Sequence, residues 1–356
     1  MRRTNILILG GGPAGAAAAI DLARAGRAPL LIERQRETGD ALCGGFLSWH
    51  SLAVLERLGV KVRGAPVERV RLFSRSGTAE APLPRAALGV SRRQLDTALL
   101  SEAERVGARV ERGVHAREAD GTTIRVEGDQ IAADHLLLAT GKHDLRGLAR
   151  PKTSDDPALG LRVRLGPAPA LERMVAGTIE LHLFDRGYAG LVMQEDGTAN
   201  LCLAARKSRL AEAGGPQALL AAIGDESPRL GERLAWLADG SDIDAIAAVP
   251  YGWRATSTQD GVFRMGDQAA VIPSLAGEGM GIALASGVMA AASVLRDDSA
   301  ETYQRAFARR TSRPIWIARA VLAAAERPPA ASILVKMMRS APGLAQLLAR
   351  ATRVGH

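Results

Sequence analysis

Residues 5–33 read NILILGGGPAGAAAAIDLARAGRAPLLIE, and the rest of the chain is arranged around them. Ile6-Leu7-Ile8-Leu9 is the apolar run of a parallel strand buried on both faces. It breaks into Gly10-Gly11-Gly12-Pro13-Ala14-Gly15, a G-x-G-x-x-G spacing with glycines at 10, 12 and 15. A small-residue helix is expected from Ala14 to about Ala25, with Gly26 ending it, and a second apolar run, Leu30-Leu31-Ile32, closes on Glu33. The three glycines act differently. Gly10 permits the tight strand-to-helix turn, Gly12 lets a pyrophosphate approach the backbone, and Gly15 lets helix and strand pack closely. Free N–H groups at the helix start then point at the phosphates. Glu33 stands 18 residues after Gly15, where a carboxylate accepts hydrogen bonds from an adenosine ribose. With strand, helix, second strand and terminal acid in register, the stretch reads as a dinucleotide-binding βαβ unit.

The chain has 356 residues, enough for two domains or one elaborated domain. Aromatic residues make up only 3%, so the core rests on Ala, Leu, Val and Gly and leaves room for a bulky ligand. The net charge of +8 does not imply nucleic acid, because only five of the 46 basic residues are lysines and no basic run alternates with aromatics. Cys43 and Cys202 supply neither a disulfide framework nor a metal spacing, so no metal is expected and a reducing cytoplasm is. The first strand begins at residue 5, which leaves no place for a signal peptide. The uncharged run 279–295 is short and Gly/Ala-rich, and reads as a buried helix instead of a membrane span.

Further along, a helix is expected from about Trp49 to Leu58, and alternation from Val67 to Leu83 reads as a hairpin. Ser91 caps a helix whose Leu95, Leu99, Ala103 and Val106 recur at helical spacing. Three short strands follow at 109–112, 122–126 and 135–138, the last running into Ala139-Thr140-Gly141. Alternation from Asp155 to Ala205 reads as an antiparallel sheet with one buried face. The tail from Ser299 reads as helices broken at Pro314, Pro328-Pro329 and Pro342. The expected fold class is therefore α/β: a Rossmann-like nucleotide-binding domain built from 1–66, 88–150 and 245–298. An antiparallel-sheet substrate domain is inserted at 67–87 and 151–244, and helices form the tail, 299–356.

A second signal specifies the nucleotide. Arg264-Met265-Gly266-Asp267 continues to Pro273 and to Gly277-Glu278-Gly279-Met280-Gly281. Together with GGGPAG, the Cys-Gly segment 43–45, Arg92-x-x-Leu95-Asp96, Gly187-Tyr188-Ala189 and Pro250-Tyr251-Gly252-Trp253, it resembles the FAD-dependent oxidoreductases of the p-hydroxybenzoate hydroxylase fold. Within them it is similar to the geranylgeranyl reductase-like branch. The resemblance implies FAD and places Arg92 near its pyrophosphate, with Arg34 and the turn Ala139-Thr140-Gly141 also against the cofactor. Asp267 can bond the ribityl hydroxyls, while the loop from Pro273 through Gly277, Glu278, Gly279, Met280 and Gly281 approaches the isoalloxazine. The dipole of the helix that follows favours an anionic reduced ring. Flavin hydroxylases of this fold carry Asp-Gly where this chain has Ala-Thr-Gly, so NAD(P)H is expected only as a transient donor at the surface, or another donor serves.

Cys43 lies by resemblance near flavin and substrate, where a thiol donates a proton or merely fills space. His50 and Tyr188 are the other catalytic candidates, while Trp253 and His143 stand close by in the reading. The expected activity is reduction of a C=C in a hydrophobic small molecule, isoprenoid or polyketide-like. Hydroxylation of an aromatic substrate with O₂ and a non-catalytic flavin electron carrier are the alternatives. The amphipathic tail, with IWIARAVLAAAE and ASILVKMMRS, caps the cavity in one reading and lies on a membrane surface in the other.

Overall fold

Two sheets carry the chain, and each follows from a different apolar pattern. The structure, a computed structural model, describes residues 1–151, 154–238 and 240–354. In chain order it begins β1 (Arg2–Leu9), α1 (Pro13–Arg24), β2 (Leu30–Glu33), β3 (Phe46–Leu47), α2 (Trp49–Arg57), β4 (Ala65–Ser74), β5 (Gly77–Gly89) and α3 (Arg92–Arg105). Next come β6 (Arg109–Arg112), β7 (Ala116–Asp120), β8 (Thr123–Val126), β9 (Asp129–Leu138), β10 (Ala158–Leu165), α4 (Pro169–Val175), β11 (Gly177–Phe184), β12 (Gly187–Met193) and β13 (Ala199–Arg206). The remainder is α5 (Lys207–Ala213), α6 (Pro216–Glu226), α7 (Pro228–Leu234), β14 (Asp244–Val249), β15 (Val262–Arg264), α8 (Gly279–Leu295), α9 (Ala300–Ala325), α10 (Pro328–Ser340) and α11 (Gly343–Ala351).

The first sheet has the order β6-β2-β1-β9-β8-β7, with β15 also against β9. β6, β2, β1, β9 and β15 are mutually parallel, and the apolar runs of all but the edge strand β6 are buried on both faces. One face packs on α1, α3 and α8. The other is covered from the β7–β8 hairpin, by Ala119, Ile124 and Val126. In α1 the run Ala16–Ala19 is fully buried, because alanines let neighbouring backbones come close. Ser48, Ser91 and Ser299 cap α2, α3 and α9 through their hydroxyls, each holding an N–H that the helix start would leave unpaired.

The second sheet runs β14-β10-β13-β12-β11-β4-β5-β3. It reaches beyond the limits expected from sequence. β3 adds an edge at one end and β14 at the other, so Phe46–Leu47 and Asp244–Val249 belong to it and not to the nucleotide unit. It is also not wholly antiparallel, since β11 lies parallel to β4. The chain between β5 and β10 crosses the whole first sheet, so no hairpin dictates that pairing. Residues 116–120 form a strand that the sequence reading leaves as loop.

Pro314 does not break the tail. It sits inside α9, where Tyr303, Phe307, Pro314, Ile315, Ala318 and Leu322 make one buried stripe. An interior proline costs a helix about 3 kcal/mol or more, and burial of that stripe outweighs it. Pro328 and Pro342 do mark new helices, as expected.

The last described turn is fastened to the molecule by a buried ion pair. The Arg353 guanidinium bonds the Glu278 carboxylate and the carbonyls of Gly277 (3.0 Å) and Ala276 (2.8 Å), and it lies 5.2 Å over the Trp49 ring. Glu278 also accepts from Ser48 Oγ at 3.2 Å and Val354 N at 3.2 Å. Removing one partner strands a buried charge, so Arg353→Met is expected to lose about 3–5 kcal/mol of unfolding free energy. Urea denaturation measures it, and the double variant with Glu278→Gln is expected to recover part of the loss.

Candidate functional site

β1 delivers Gly10 beside the end of β9. Gly10 has φ +107°, and a Cβ there would lie 2.5 Å from the Ala139 carbonyl oxygen. A Cβ on Gly15 would lie 2.0 Å from the Gly10 carbonyl oxygen, so helix and turn touch through backbone alone. Gly12 is different. Its φ is an ordinary −69°, and an added Cβ would meet only the Arg92 guanidinium, at 3.3 Å. That gap above the helix N-terminus, faced by a half-buried cation, suits a diphosphate.

Arg92 opens α3 and is held by Asp96 in a fork of 2.8 and 2.6 Å. Although burial disfavours its charge, the Asp96 carboxylate keeps the guanidinium firmly protonated. Glu33 ends β2 with one oxygen accepting from Gly11 N (2.7 Å) and the other from Gln35 N (2.9 Å), tying the second strand to the glycine turn. Arg34 reaches the His143 Nε2 at 2.7 Å. Burial and the cations Arg34, Lys142 and Arg150 hold His143 below the usual imidazole range, so it stays neutral near pH 7. On the far side, Gly266 (φ +56°) turns β15 into a short 3-10 turn carrying Asp267. Arg150 holds the Asp267 carbonyl at 3.0 Å. Gln268, fully buried, ties the Gly141 carbonyl (2.9 Å) and the His143 carbonyl (3.1 Å) to that turn.

These elements bound one cavity of about 780 Å³. It extends from the glycine turn, past Ala139, Thr140 and Gly141, to the inward face of the second sheet. Cross-strand register places Tyr188 and Gly190 of β12 on that face, with Leu181 and Cys202 beside Gly190. The segment carrying Cys43 is fastened from both sides. Lys142 Nζ holds the Leu42 carbonyl at 2.6 Å, Asn200 Nδ2 holds the Cys43 carbonyl at 3.0 Å, and buried Arg162 holds Asp40 and Ala41. Cys43 thus lines the cavity, while burial pushes the Cys202 thiol up to about 12 and leaves it inert.

Not every expected residue lines the cavity. Gly10, Gly12, Pro13, Ala14, Glu33, Arg34, Cys43, Arg92, Tyr188, Gly266, Asp267, Gly277, Gly279 and Met280 do. Gly15, Pro273, Glu278, Gly281 and His50 do not. Gly15 acts through packing. Glu278 is committed to Arg353, and a Cβ on Gly281 would strike the Glu278 carboxylate at 2.4 Å, so this part of the loop is filled by the ion pair. His50 lies on α2 with its ring tilted against Trp49, and burial lowers its basicity. Arg162, Lys142, Asn200, Tyr251 and Ser274 escape the sequence reading as site residues. Tyr251 stands in one of its motifs; the strand register that turns Arg162 and Asn200 inward leaves no mark in a single sequence, and Lys142 and Ser274 lie in turns placed by distant contacts. Among the described residues, no group of three or more His, Cys, Asp or Glu side chains is placed to hold a metal.

A family model described as an FAD binding domain matches residues 3–143. Digeranylgeranylglycerophospholipid reductase 2 of Methanopyrus kandleri is 25% identical over 329 residues, which cover 85% of this chain and 81% of that protein. A geranylgeranyl bacteriochlorophyll reductase-like structure from Thermoplasma acidophilum superposes with TM-score 0.74 at 19% identity, covering 99% of this chain and 97% of its own. The flavin-dependent brominase Bmp2 superposes with TM-score 0.76 at 17% identity, covering 98% and 93%.

The chain is an FAD-dependent oxidoreductase with the fold of these flavoproteins.

The cavity fits that cofactor. Its volume lies within the range of about 300–1,000 Å³ usual for organic ligands. Added Cβ atoms at Gly44 and Gly279, which line it, would meet nothing within 4 Å. In this oxidoreductase the Gly12 backbone and Arg92 would hold the diphosphate, Glu33 the ribose, and the 266–267 and 277–280 turns the flavin half. Bound FAD supplies two-electron redox chemistry, and the protein supplies orientation and exclusion of water.

The glycine geometry separates two variants. Gly12→Val is expected to fold, since only a movable arginine stands near, but to purify colourless. Gly15→Val, with its side chain driven into the Gly10 carbonyl, is expected not to accumulate as folded protein. Flavin-to-protein absorbance ratio and thermal melting read the two outcomes.

Proposed function

We propose that this oxidoreductase reduces a carbon–carbon double bond in a hydrophobic small molecule of isoprenoid or polyketide type. One observation carries the reading: the cavity that begins at the glycine turn ends on an apolar sheet wall, including Ile179, Leu181 and Ile246, with no glutamate, aspartate or histidine on that part of the lining except Asp244 at its edge. Hydride from reduced flavin needs a dry, apolar site of this kind. NAD(P)H, bound transiently, or another reductant would load the flavin. The lipid reductase relative of Methanopyrus kandleri supports the substrate class.

A second, smaller cavity of about 120 Å³ supports entry from the tail. It lies between the second sheet and α9–α11, lined by Leu72, Leu183, Ala318, Leu334, Met338 and Leu348. Phe46, Ile179, Leu181, Leu275 and Gly277 line both cavities, so the two adjoin. A long apolar chain could thread from the helices toward the flavin half, with Cys43 positioned as a proton source beside it.

The charge distribution supports a lipid surface as the substrate's source. Residues 299–356 hold ten Arg/Lys and two Asp/Glu, the whole chain's excess of eight, so residues 1–298 are neutral. On the same helices Trp316 (70% exposed), Leu347 (63%), Ile333 (58%) and Met337 (52%) face outward. Cations around exposed apolar side chains suit the face of an anionic bilayer. No helix among the described residues is long and apolar enough to cross a membrane.

Two measurements test the proposal. Anaerobic turnover of flavin-reduced protein with an isoprenoid C=C substrate is expected to give the saturated product, and product that forms only with oxygen overturns the reductase reading. Sedimentation with vesicles of about 30% phosphatidylglycerol is expected to pellet the protein, neutral phosphatidylcholine vesicles to leave it in solution, and Trp316→Ser with Leu347→Ser to weaken binding about tenfold or more. Equal partition onto both vesicle types overturns the surface assignment.

A further inference from the structure

Three hydroxyl groups from three separate elements converge on the wall of the main cavity. Tyr188 projects from β12, Tyr251 follows β14, and Ser274 opens the turn between Pro273 and Gly277. The Ser274 Oγ is hydrogen-bonded to both Tyr188 Oη and Tyr251 Oη. The phenols also act on one another, so the three oxygens form one cluster. All three residues line the cavity, and Leu181, Cys202, Val271 and Leu275 line the same region. Tyr188 is buried, while Tyr251 is only half-buried and gives the cluster a way out to solvent.

A polar cluster on an apolar wall is costly unless something is gained from it. Packing does not require it, because phenylalanine at 188 or 251 and alanine at 274 would fill nearly the same space. Its side-chain hydrogen bonds run between the hydroxyls themselves, joining β12 to the turn after Pro273, and none of them engages a charged group. What the cluster offers is donors. Three hydroxyls carry three protons and can rotate, so an acceptor arriving in the cavity draws one O–H outward at the cost of no more than one internal contact. Burial raises the Tyr188 phenol well above its usual range and the Tyr251 phenol up to about 12, so both stay protonated throughout the working pH range.

We infer that the Tyr188–Ser274–Tyr251 cluster is a binding site for a carbonyl-type oxygen, and that the substrate's double bond is conjugated to that carbonyl. The inference rests on the reductase reading and narrows its substrate class to enones and quinones. When hydride adds to the β-carbon, a C–H bond forms there and the π pair moves through the conjugated system onto the oxygen. The oxygen takes a proton from the hydroxyl cluster, the cluster recovers one from water through Tyr251, and the enol so formed becomes the saturated carbonyl by losing its O–H proton as the α-carbon gains one. Donors already in place where negative charge develops stabilise that charge without reorganisation.

Binding to the oxidised holoprotein tests the site without any turnover. Menadione serves as a small rigid conjugated carbonyl and 2-methylnaphthalene as its carbonyl-free counterpart, each measured by equilibrium dialysis. The holoprotein is expected to bind menadione at least about tenfold more tightly. Ser274→Ala and Tyr251→Phe, each checked for unchanged flavin content and melting temperature, are expected to lose most of that preference while binding 2-methylnaphthalene as before. Equal affinity for the two probes, or a preference that survives both substitutions, overturns the assignment. Because the readout is binding to oxidised protein, failure here is distinguishable from failure of anaerobic reduction, which would strike the reductase reading itself.

Discussion

The structure depends on one close approach, between the first helix and the last helix of the nucleotide unit. A Cβ on Gly287 would lie 2.2 Å from the Ala14 carbonyl oxygen and 3.2 Å from the Ala17 Cβ, so α8 rests on the backbone of α1. Gly266 meets the Ala14 Cβ from the turn that precedes α8, at 3.4 Å measured to its own added Cβ. Residues about 250 or more positions apart are thereby brought within one side chain's thickness. The glycine turn at Gly10–Gly12 and the turns at 266–267 and 277–280 face the same cavity because these helices touch. A larger side chain at 14, 266 or 287 would part them and separate the two ends of that cavity.

That constraint explains what the sequence made readable. Positions where backbone meets backbone require glycine or alanine, so GGGPAG and GDQ…GEGMG announce themselves by composition and spacing. The parallel strands, buried on both faces, likewise show as unbroken apolar runs, and α8 occupies the uncharged run 279–295. Contacts between side chains are less legible. Glu278 reads as part of a flavin loop, yet its partner is Arg353, 75 residues on, and nothing in either local pattern connects them. Pro314 reads as a helix break because the local cost of proline is visible while the buried stripe that offsets it depends on tertiary packing. The edge strands β3 and β14 are short, and their sheet membership is decided by partners far away in the chain.

The second sheet sorts polarity by face, and register is the reason. Glu180 and His182 of β11 point away from the cavity and are fully buried. There Arg71 (2.9 Å) and Arg233 (2.9 and 3.0 Å) bond the Glu180 carboxylate, and His182 stacks on Phe73 with centroids 4.4 Å apart. Burial alone would raise the Glu180 carboxyl, but hydrogen bonds from His182 and Arg233 bring it down to about 2. Ile179, Leu181 and Leu183, the alternate residues of the same strand, face the flavin side and the tail. A shift of one residue would carry a charged network into the cavity and an apolar row into the ion pairs, so the register is strongly fixed.

The same sorting gives weight to the few polar groups that do reach the cavity wall. Arg162, inward on β10, is fully engaged with Asp40, Asp244 and the carbonyls of the Cys43 segment, so its charge positions a loop and is not offered to a ligand. Lys142 is held to the Leu42 carbonyl in the same manner. Both cations hold the Cys43 segment in place, with Cys43 lining the cavity. The hydroxyls of Tyr188, Ser274 and Tyr251 are bonded chiefly to one another, which leaves them able to turn toward a guest. Groups committed to the protein build the cavity, and groups committed only to each other are those that can recognise what enters it.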